Sequence, residues 1–273
     1  MRVWRIGLLG IGAIGRDVVS LIGDRRPDTE FIVLRRSGGD LGLPGARQVH
    51  DIDQMVRARP DVVIEAAGHQ ALETCVPALL AHGVSVIAAS VGSLIQAGES
   101  GVMCDMLKTI AAGTGARLVL PAGAIGGLDY ISAVALLTDL RVTYTSRKPP
   151  EAWADELMRR GLDASQLDSE VILFEGSVAE AAALYPRNLN VAATIALAVG
   201  RPDVVSVRVV IDPAARGNIH EIVCESAAGL ARFIFLNTPS LKNPKTSMVT
   251  ALSLIHCVEE FFSLSPIDKS EHQ

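Results

Sequence analysis

Through the first 121 residues, short apolar blocks alternate with longer stretches whose apolar positions recur every three to four residues. The blocks at 6–9, 31–34, 62–68, 84–88 and 117–121 are too short for helices and read as buried strands. Between them, 16–22, 70–81 and 99–112 carry helical spacing, and the second of these stops at His82-Gly83, where glycine accepts the left-handed turn past a helix end. Strands separated by helices build parallel βαβ units, and such a sheet takes ligand at the carboxyl ends of its strands. After Pro121 the pattern changes. Residues 141–145, 171–174, 204–211, 219–225 and 231–236 read as strands, and 128–137, 178–184 and 191–198 as helices. The last three strands follow one another through turns containing Asp212-Pro213 and Ala228-Gly229, which favours a mixed, largely antiparallel sheet with helices on one face. A final amphipathic helix over 247–262 is expected to pack back on the first unit.

The turn after the first block reads Gly10-Ile11-Gly12-Ala13-Ile14-Gly15, between a strand and a helix. The first glycine permits a tight turn, the second lets backbone approach a pyrophosphate, and the third lets helix and strand pack closely. The helix N-terminus then offers unpaired N–H groups and a positive dipole end to phosphate. This predicts an α/β protein: an N-terminal Rossmann dinucleotide-binding domain over 1–121, completed by the C-terminal helix 246–262, a second α/β domain over 122–245 for substrate and dimerisation, and a tail at 263–273. In such a fold an acidic residue at the end of the second strand holds the adenosine ribose. Here that place reads Leu34-Arg35-Arg36-Ser37. Guanidiniums pair with a 2′-phosphate, so Arg35 and Arg36 favour NADP, or dual use of NADP and NAD, over strict NAD; solvated loop arginines are the alternative.

Composition narrows the class. The chain has 273 residues, 49% hydrophobic and 20% charged, with a net charge of −5. That is ample material for a core, and the acidic balance argues against nucleic acid as the main partner. No apolar run reaches the roughly 18 residues of a membrane span, and the nucleotide motif at the start of the chain leaves no room for a cleaved leader, so a cytoplasmic protein is expected. Cys75, Cys104, Cys224 and Cys257 follow no metal-ligand spacing and read as reduced core thiols.

Few residues suit proton transfer. Among six histidines, His69 follows the strand-terminal Gly68, and His220 lies in Asn218-Ile219-His220-Glu221, where strand periodicity puts Asn218, His220 and Ile222 on one face. Spacing alone leaves His220 open between an ordinary strand residue and an acid–base group. A second glycine loop, Pro121-Ala122-Gly123-Ala124-Ile125-Gly126-Gly127, would present backbone N–H groups to a carboxamide or carboxylate, or serve as a hinge. Cations beside prolines, Arg147-Lys148-Pro149 and Lys242-Asn243-Pro244-Lys245-Thr246-Ser247, are either solvated or suited to a dicarboxylate.

Together these segments, with Glu65-Ala66-Ala67-Gly68-His69, Ser90-Val91-Gly92-Ser93-Leu94 and Leu184-Tyr185-Pro186-Arg187-Asn188-Leu189-Asn190, resemble the L-aspartate dehydrogenase family in the family's order along nearly the whole chain. The resemblance implies NAD(P)-dependent oxidative deamination of L-aspartate to oxaloacetate and ammonia through iminosuccinate, a homodimer, and a link to NAD biosynthesis. It implies His220 as the active-site histidine. Cofactor contacts would come from Gly10, Gly12, Ala13, Ile14, Gly15, Arg35, Arg36, Ala67, Gly68, Ala124 and Asn190, and substrate contacts from Gly123, Lys148, Lys245 and Thr246. The alternatives are an NADP-dependent oxidoreductase of another amino acid or imine, and a non-catalytic NADP(H)-sensing protein.

Overall fold

The five apolar blocks of the first 121 residues all form strands, and a sixth, too short to show any periodicity, joins them. In this computed structural model the structure describes residues 2–35, 40–43, 45–95, 102–185, 190–240 and 243–264, and for 243–245 the backbone alone. The chain runs β1 (Arg5–Leu9), α1 (Ala13–Arg25), β2 (Glu30–Leu34), β3 (Arg47–Val49), α2 (Ile52–Arg57), β4 (Val62–Glu65), α3 (His69–Ala81), β5 (Val86–Ala88), α4 (Val102–Thr114) and β6 (Leu118–Val119). These strands form one parallel sheet in the order β3-β2-β1-β4-β5-β6. The order reverses between β1 and β4, which opens a crevice beyond their carboxyl ends.

Strand β4 is buried at every position, as expected of a parallel strand covered on both faces. On one face Ile6, Leu8, Val33, Ile64 and Ile87 meet Val18 and Ile22 of α1. On the other, Leu9, Val63 and Val86 meet Met55 of α2, Leu72 and Val76 of α3, and Leu107 of α4. Each such side chain contributes about 1.5–3 kcal/mol by leaving water.

The second half contains α5 (Leu128–Val134), β7 (Arg141–Lys148), α6 (Ala154–Arg160), β8 (Val171–Ser177), α7 (Val178–Leu184), α8 (Asn190–Val199), β9 (Val205–Ile211), β10 (Asn218–Ser226), β11 (Gly229–Asn237), β12 (Pro239–Ser240), β13 (Asn243–Ser247) and α9 (Met248–Leu264). Five strands pair in the order β11-β10-β7-β9-β8, antiparallel except for β7 with β9, so the sheet is mixed and largely antiparallel. Ile131 of α5 and Ala192 and Ile195 of α8 cover its inner face against Val142, Tyr144 and Val207. Helix α9 returns to the first sheet: Leu254, Ile255 and Val258 join the cluster of Ile6 and Leu8. Phe262 stacks on Trp4 with ring centroids 4.2 Å apart, and Arg117 lies 3.9 Å over Phe261.

Three elements stop earlier than periodicity predicts: the strand read over 117–121 ends at Val119, and two others end early for a polar reason. The block over 62–68 is strand only to Glu65, because that side chain turns back to take the next backbone N–H groups. The helix expected over 128–137 ends at Val134, and Arg201 donates to the freed carbonyls of Ala135 and Leu137. Among the described residues no helix is long and apolar enough to cross a membrane, and no cluster of His, Cys, Asp or Glu suits a metal ion. All four cysteines are buried free thiols.

Candidate functional site

The glycine turn divides its labour as the motif requires. A Cβ on Gly10, at φ +92°, would lie 2.7 Å from Ala67 Cα, and one on Gly15 would lie 2.5 Å from the Gly10 carbonyl oxygen. Both positions are closed by backbone. Gly12, the N-cap of α1, has no neighbouring atom within 4 Å of that place. The space ahead of the α1 N-terminus is therefore open only at the middle glycine, where a pyrophosphate would approach, and these residues fit a dinucleotide.

Next to this turn lies Glu65, fully buried at the end of β4. Its Oε1 accepts from the N–H groups of Ala67 (2.8 Å) and Gly68 (3.0 Å) and from Ser90 Oγ (2.9 Å), and its Oε2 accepts from Ser90 N–H (3.0 Å). A buried carboxylate is tolerable only when satisfied in this way. The result is a rigid floor that ties the ends of β4 and β5 together. Above it, Asn190 at the start of α8 accepts the Gly92 N–H on Oδ1 at 3.0 Å, joining the two halves of the chain. A Cβ on Gly92 would meet His69 Nε2 at 2.6 Å and Asn190 Oδ1 at 2.8 Å, so any side chain there would displace the clasp.

The second sheet supplies the ionisable groups. Antiparallel pairing sets His220 opposite Ser146, and alternation brings Tyr144, Ser146 and Lys148 of β7 to the same face as Asn218 and His220 of β10. His220 Nδ1 is 2.8 Å from the Tyr144 hydroxyl. Burial, assisted by the positive charge of Lys148, pushes the His220 pKa down to about 4, so the imidazole is neutral near pH 7. Burial also raises the Tyr144 pKa, so the phenol keeps its proton. On the opposite face Glu221 pairs with Arg147 at 2.6 Å and with Arg232. Burial alone would raise its carboxyl pKa, but the two guanidiniums hold it below the ordinary value. The clamp pins β7, β10 and β11 in register beneath His220.

His220 and Lys148 meet in a cleft of about 170 Å3 between the sheets. Three helices begin at it: Ile14 of α1, Asn190 and Thr194 of α8, and Thr250 of α9 line its wall. Helix N-termini carry partial positive charge. Among the described lining residues there is no carboxylate, and Lys148, only 7% exposed, adds a full positive charge. The cleft is electrostatically prepared for anions.

Of the residues expected from sequence, Ile14, Ala124, Asn190, Gly123, Lys148, Thr246 and His220 all line this cleft. Gly10, Gly12, Ala13, Gly15, Ala67 and Gly68 form the adjoining floor and turn. Arg35 follows β2, and its guanidinium donates to the Asp40 carbonyl at 3.0 Å. Arg36 and the side chain of Lys245 lie outside the described residues. One expectation changes: the Gly123 N–H, a candidate carboxylate donor, already donates to Ser253 Oγ of α9 at 3.0 Å. Gly123 shapes the wall, while its backbone donor serves the α9 junction. Sequence reasoning passed over Tyr144, Ser90, Ser247 and Thr250. The period of two along β7 carries a signal for Tyr144, four residues before Lys148; Ser247 at the end of β13 and Thr250 of α9 carry none, because only the chain's return brings them there.

Comparison with known proteins agrees with this geometry. Residues 129–261 match the family described as aspartate dehydrogenase, C-terminal, and residues 10–120 match homoserine dehydrogenase, NAD binding domain. The chain is 41% identical to L-aspartate dehydrogenase 2 of Bordetella pertussis over 92% of its length and 94% of that relative. It is 38% identical to L-aspartate dehydrogenase of Ruegeria pomeroyi over 94% of its length and 92% of that relative. The crystal structure of aspartate dehydrogenase from Thermotoga maritima superposes with a TM-score of 0.73 at 28% identity, covering 95% of this chain and 97% of that one.

Proposed function

This chain belongs to the L-aspartate dehydrogenase family and is an NAD(P)-dependent amino-acid dehydrogenase; from that premise we propose that it oxidises L-aspartate to oxaloacetate and ammonia through iminosuccinate, with His220 as the acid–base group. The observation that carries this reading is the cleft itself: a neutral histidine beside a buried lysine, three helix N-termini, and no carboxylate among the described lining residues.

A nicotinamide cofactor, when bound, supplies the acceptor for the hydride that leaves the substrate Cα. The chain does the rest. Gly12 and the first turn of α1 hold the pyrophosphate, with Ala13, Ile14, Gly15, Ala67 and Gly68 shaping the floor, while Ala124 and Asn190 orient the nicotinamide end. Lys148 holds one substrate carboxylate. Thr246 and the α9 N-terminus, with Lys245, hold the other. His220 takes a proton from the substrate ammonium and passes it to solvent before the hydride leaves Cα; neutral again, it takes a proton from the water that adds to the iminium carbon, returns that proton to the nitrogen so that ammonia departs, and accepts the carbinol O–H proton as the ketone forms. The absence of an acid after β2, with Arg35 and Arg36 in its place, supports NADP as the better of the two cofactors. In this reading 1–121 with 246–262 binds the cofactor, 122–245 binds substrate and partner, and 263–273 is a tail.

The test is the absorbance of reduced cofactor with purified protein, a panel of amino acids, and NADP+ or NAD+ in turn. Turnover with aspartate, faster with NADP+, is expected. Turnover only with another amino acid, or binding without turnover, would overturn it. For the carboxylate assignment, Lys148→Met is expected to raise the aspartate KM at least about tenfold with cofactor affinity retained, since a buried charge-assisted contact is lost; an unchanged KM removes Lys148 from the site. A homodimer through the outer face of the second sheet completes the reading, supported by exposed Leu230, Ile234 and Leu236 on edge strand β11. Light scattering at twice the chain mass is expected, and a monomer at micromolar concentration would refute it.

A further inference from the structure

Resting on the assignment of His220 as the proton acceptor, we propose that Tyr144 is a positioning residue of the reaction: its phenol, with Ser146 behind it, holds His220 in the Nδ1–H tautomer and so turns the Nε2 lone pair toward the cleft. Tyr144 is fully buried and is not among the residues that line the cleft, yet its hydroxyl is 2.8 Å from Nδ1. It therefore acts only through the histidine, whose other ring nitrogen is the one left for substrate.

The choice of tautomer is a matter of counting protons. A neutral imidazole carries one N–H, and this phenol keeps its O–H, because burial opposes the phenolate. If the phenol donates to Nδ1, the imidazole proton sits on Nε2 and the cleft faces a donor, which cannot accept a proton. If Nδ1–H donates to the phenol oxygen, Nε2 is free to accept, but the phenol proton then needs a buried acceptor of its own. Ser146 provides it. Its Oγ is buried with no hydrogen-bond partner among the described residues, and it stands two residues along β7 from Tyr144, on the same face of the strand. Turning the phenol O–H to Ser146 satisfies that orphan oxygen and selects the base-competent tautomer.

The surrounding charges leave this choice to the hydroxyl chain. Lys148 is the charged group on the same face, Glu221 points to the opposite one, and no carboxylate lies among the described residues of the cleft wall. When Nε2 takes the substrate proton, the imidazolium keeps its Nδ1–H on the Tyr144 oxygen. No bond within Tyr144 breaks, and the proton later leaves from Nε2. The phenol is thus already aligned to the charged form before it exists, and no reorganisation is needed at the moment of transfer.

The experiment compares full-length wild type, Tyr144→Phe, Ser146→Ala and His220→Asn in three readouts: steady-state kinetics across pH, cofactor affinity, and the long-range proton–nitrogen spectrum of the histidine ring. Wild-type His220 is expected to show Nδ1 protonated. Tyr144→Phe is expected to lose about 10- to 100-fold in kcat, with aspartate KM and cofactor Kd within about twofold and the acid limb of the profile displaced to lower pH. Ser146→Ala, which removes one oxygen and leaves Tyr144 itself in place, is expected to lose several-fold and to shift the tautomer toward Nε2–H; this arm decides if Tyr144→Phe does not fold. An Nε2–H tautomer in the wild type, or kcat within about twofold in Tyr144→Phe, overturns the proposal. His220→Asn separates the two failures: if it is inactive while Tyr144→Phe is normal, only the role of Tyr144 falls, whereas an active His220→Asn removes the histidine assignment and the proposal with it.

Discussion

His220→Asn is expected to lower kcat for aspartate oxidation by at least about a hundredfold while leaving cofactor affinity within about twofold of the wild type. The substitution keeps a polar group on β10 and removes the only imidazole among the described residues that line the cleft. Its pKa, lowered from 6.5 to about 4, keeps the base form at working pH without competition from solvent protons. The same shift predicts an acid signature in stability. The folded state resists the proton that the unfolded chain accepts, so stability is whole above about pH 6.5 and is lost as pH falls toward about 4. Urea midpoints between pH 7 and 4.5 should fall more steeply in the wild type than in His220→Asn. Normal turnover in the variant would remove His220 from the mechanism, and parallel urea curves would mean that its burial carries no linkage.

Gly12→Val should abolish useful cofactor binding, with a rise of about a hundredfold in NADPH Kd, yet leave a folded protein. The reason is the asymmetry of the glycine turn. No neighbouring atom lies within 4 Å of a Cβ at Gly12, whose backbone φ of −69° suits any residue. The added side chain would fill the space the pyrophosphate needs and nothing else. The cost to the protein is that of a poorer helix cap, about 1 kcal/mol, which is a few degrees in melting temperature. Gly15→Ala should behave in the opposite sense, since its Cβ would lie 2.5 Å from the Gly10 carbonyl oxygen. It should melt well below Gly12→Val. Calorimetry beside fluorescence titration with NADPH checks both, and equal melting temperatures or intact NADPH affinity in Gly12→Val would show that the turn does not work this way.

Sequence periodicity was most informative where burial is simplest. A parallel strand covered on both faces must be continuously apolar, so residues 62–65 announced themselves, as did helix 178–184 with its sharp polar boundaries. Gly10 and Gly15 were legible because backbone closes the place of a side chain at both. What stayed hidden was made by contacts distant in sequence. Glu65 looked like the tail of a strand, and only its four hydrogen bonds, two of them from Ser90, explain a buried carboxylate there. Strand β3, three residues long, is too short for any pattern. Tyr144 reads as an aromatic in an alternating strand until pairing with β10 sets its hydroxyl against His220. The resemblance to a known family raised His220 above an ordinary strand residue; its spacing could not.

The return of α9 to the first sheet has a consequence for how the protein is made. Trp4 finds its stacking partner in Phe262, and Ile6 and Leu8 share a core with Leu254 and Val258. The ribosome therefore releases the nucleotide-binding half with one face of its sheet covered by α1 but lacking α9, and that gap stays open while the intervening sheet is synthesised. Vectorial folding can close the second sheet first, but the half that emerges earliest is the half that finishes last. During that interval its apolar face is a natural substrate for chaperones, and any nonsense codon before position 248 would leave it permanently so.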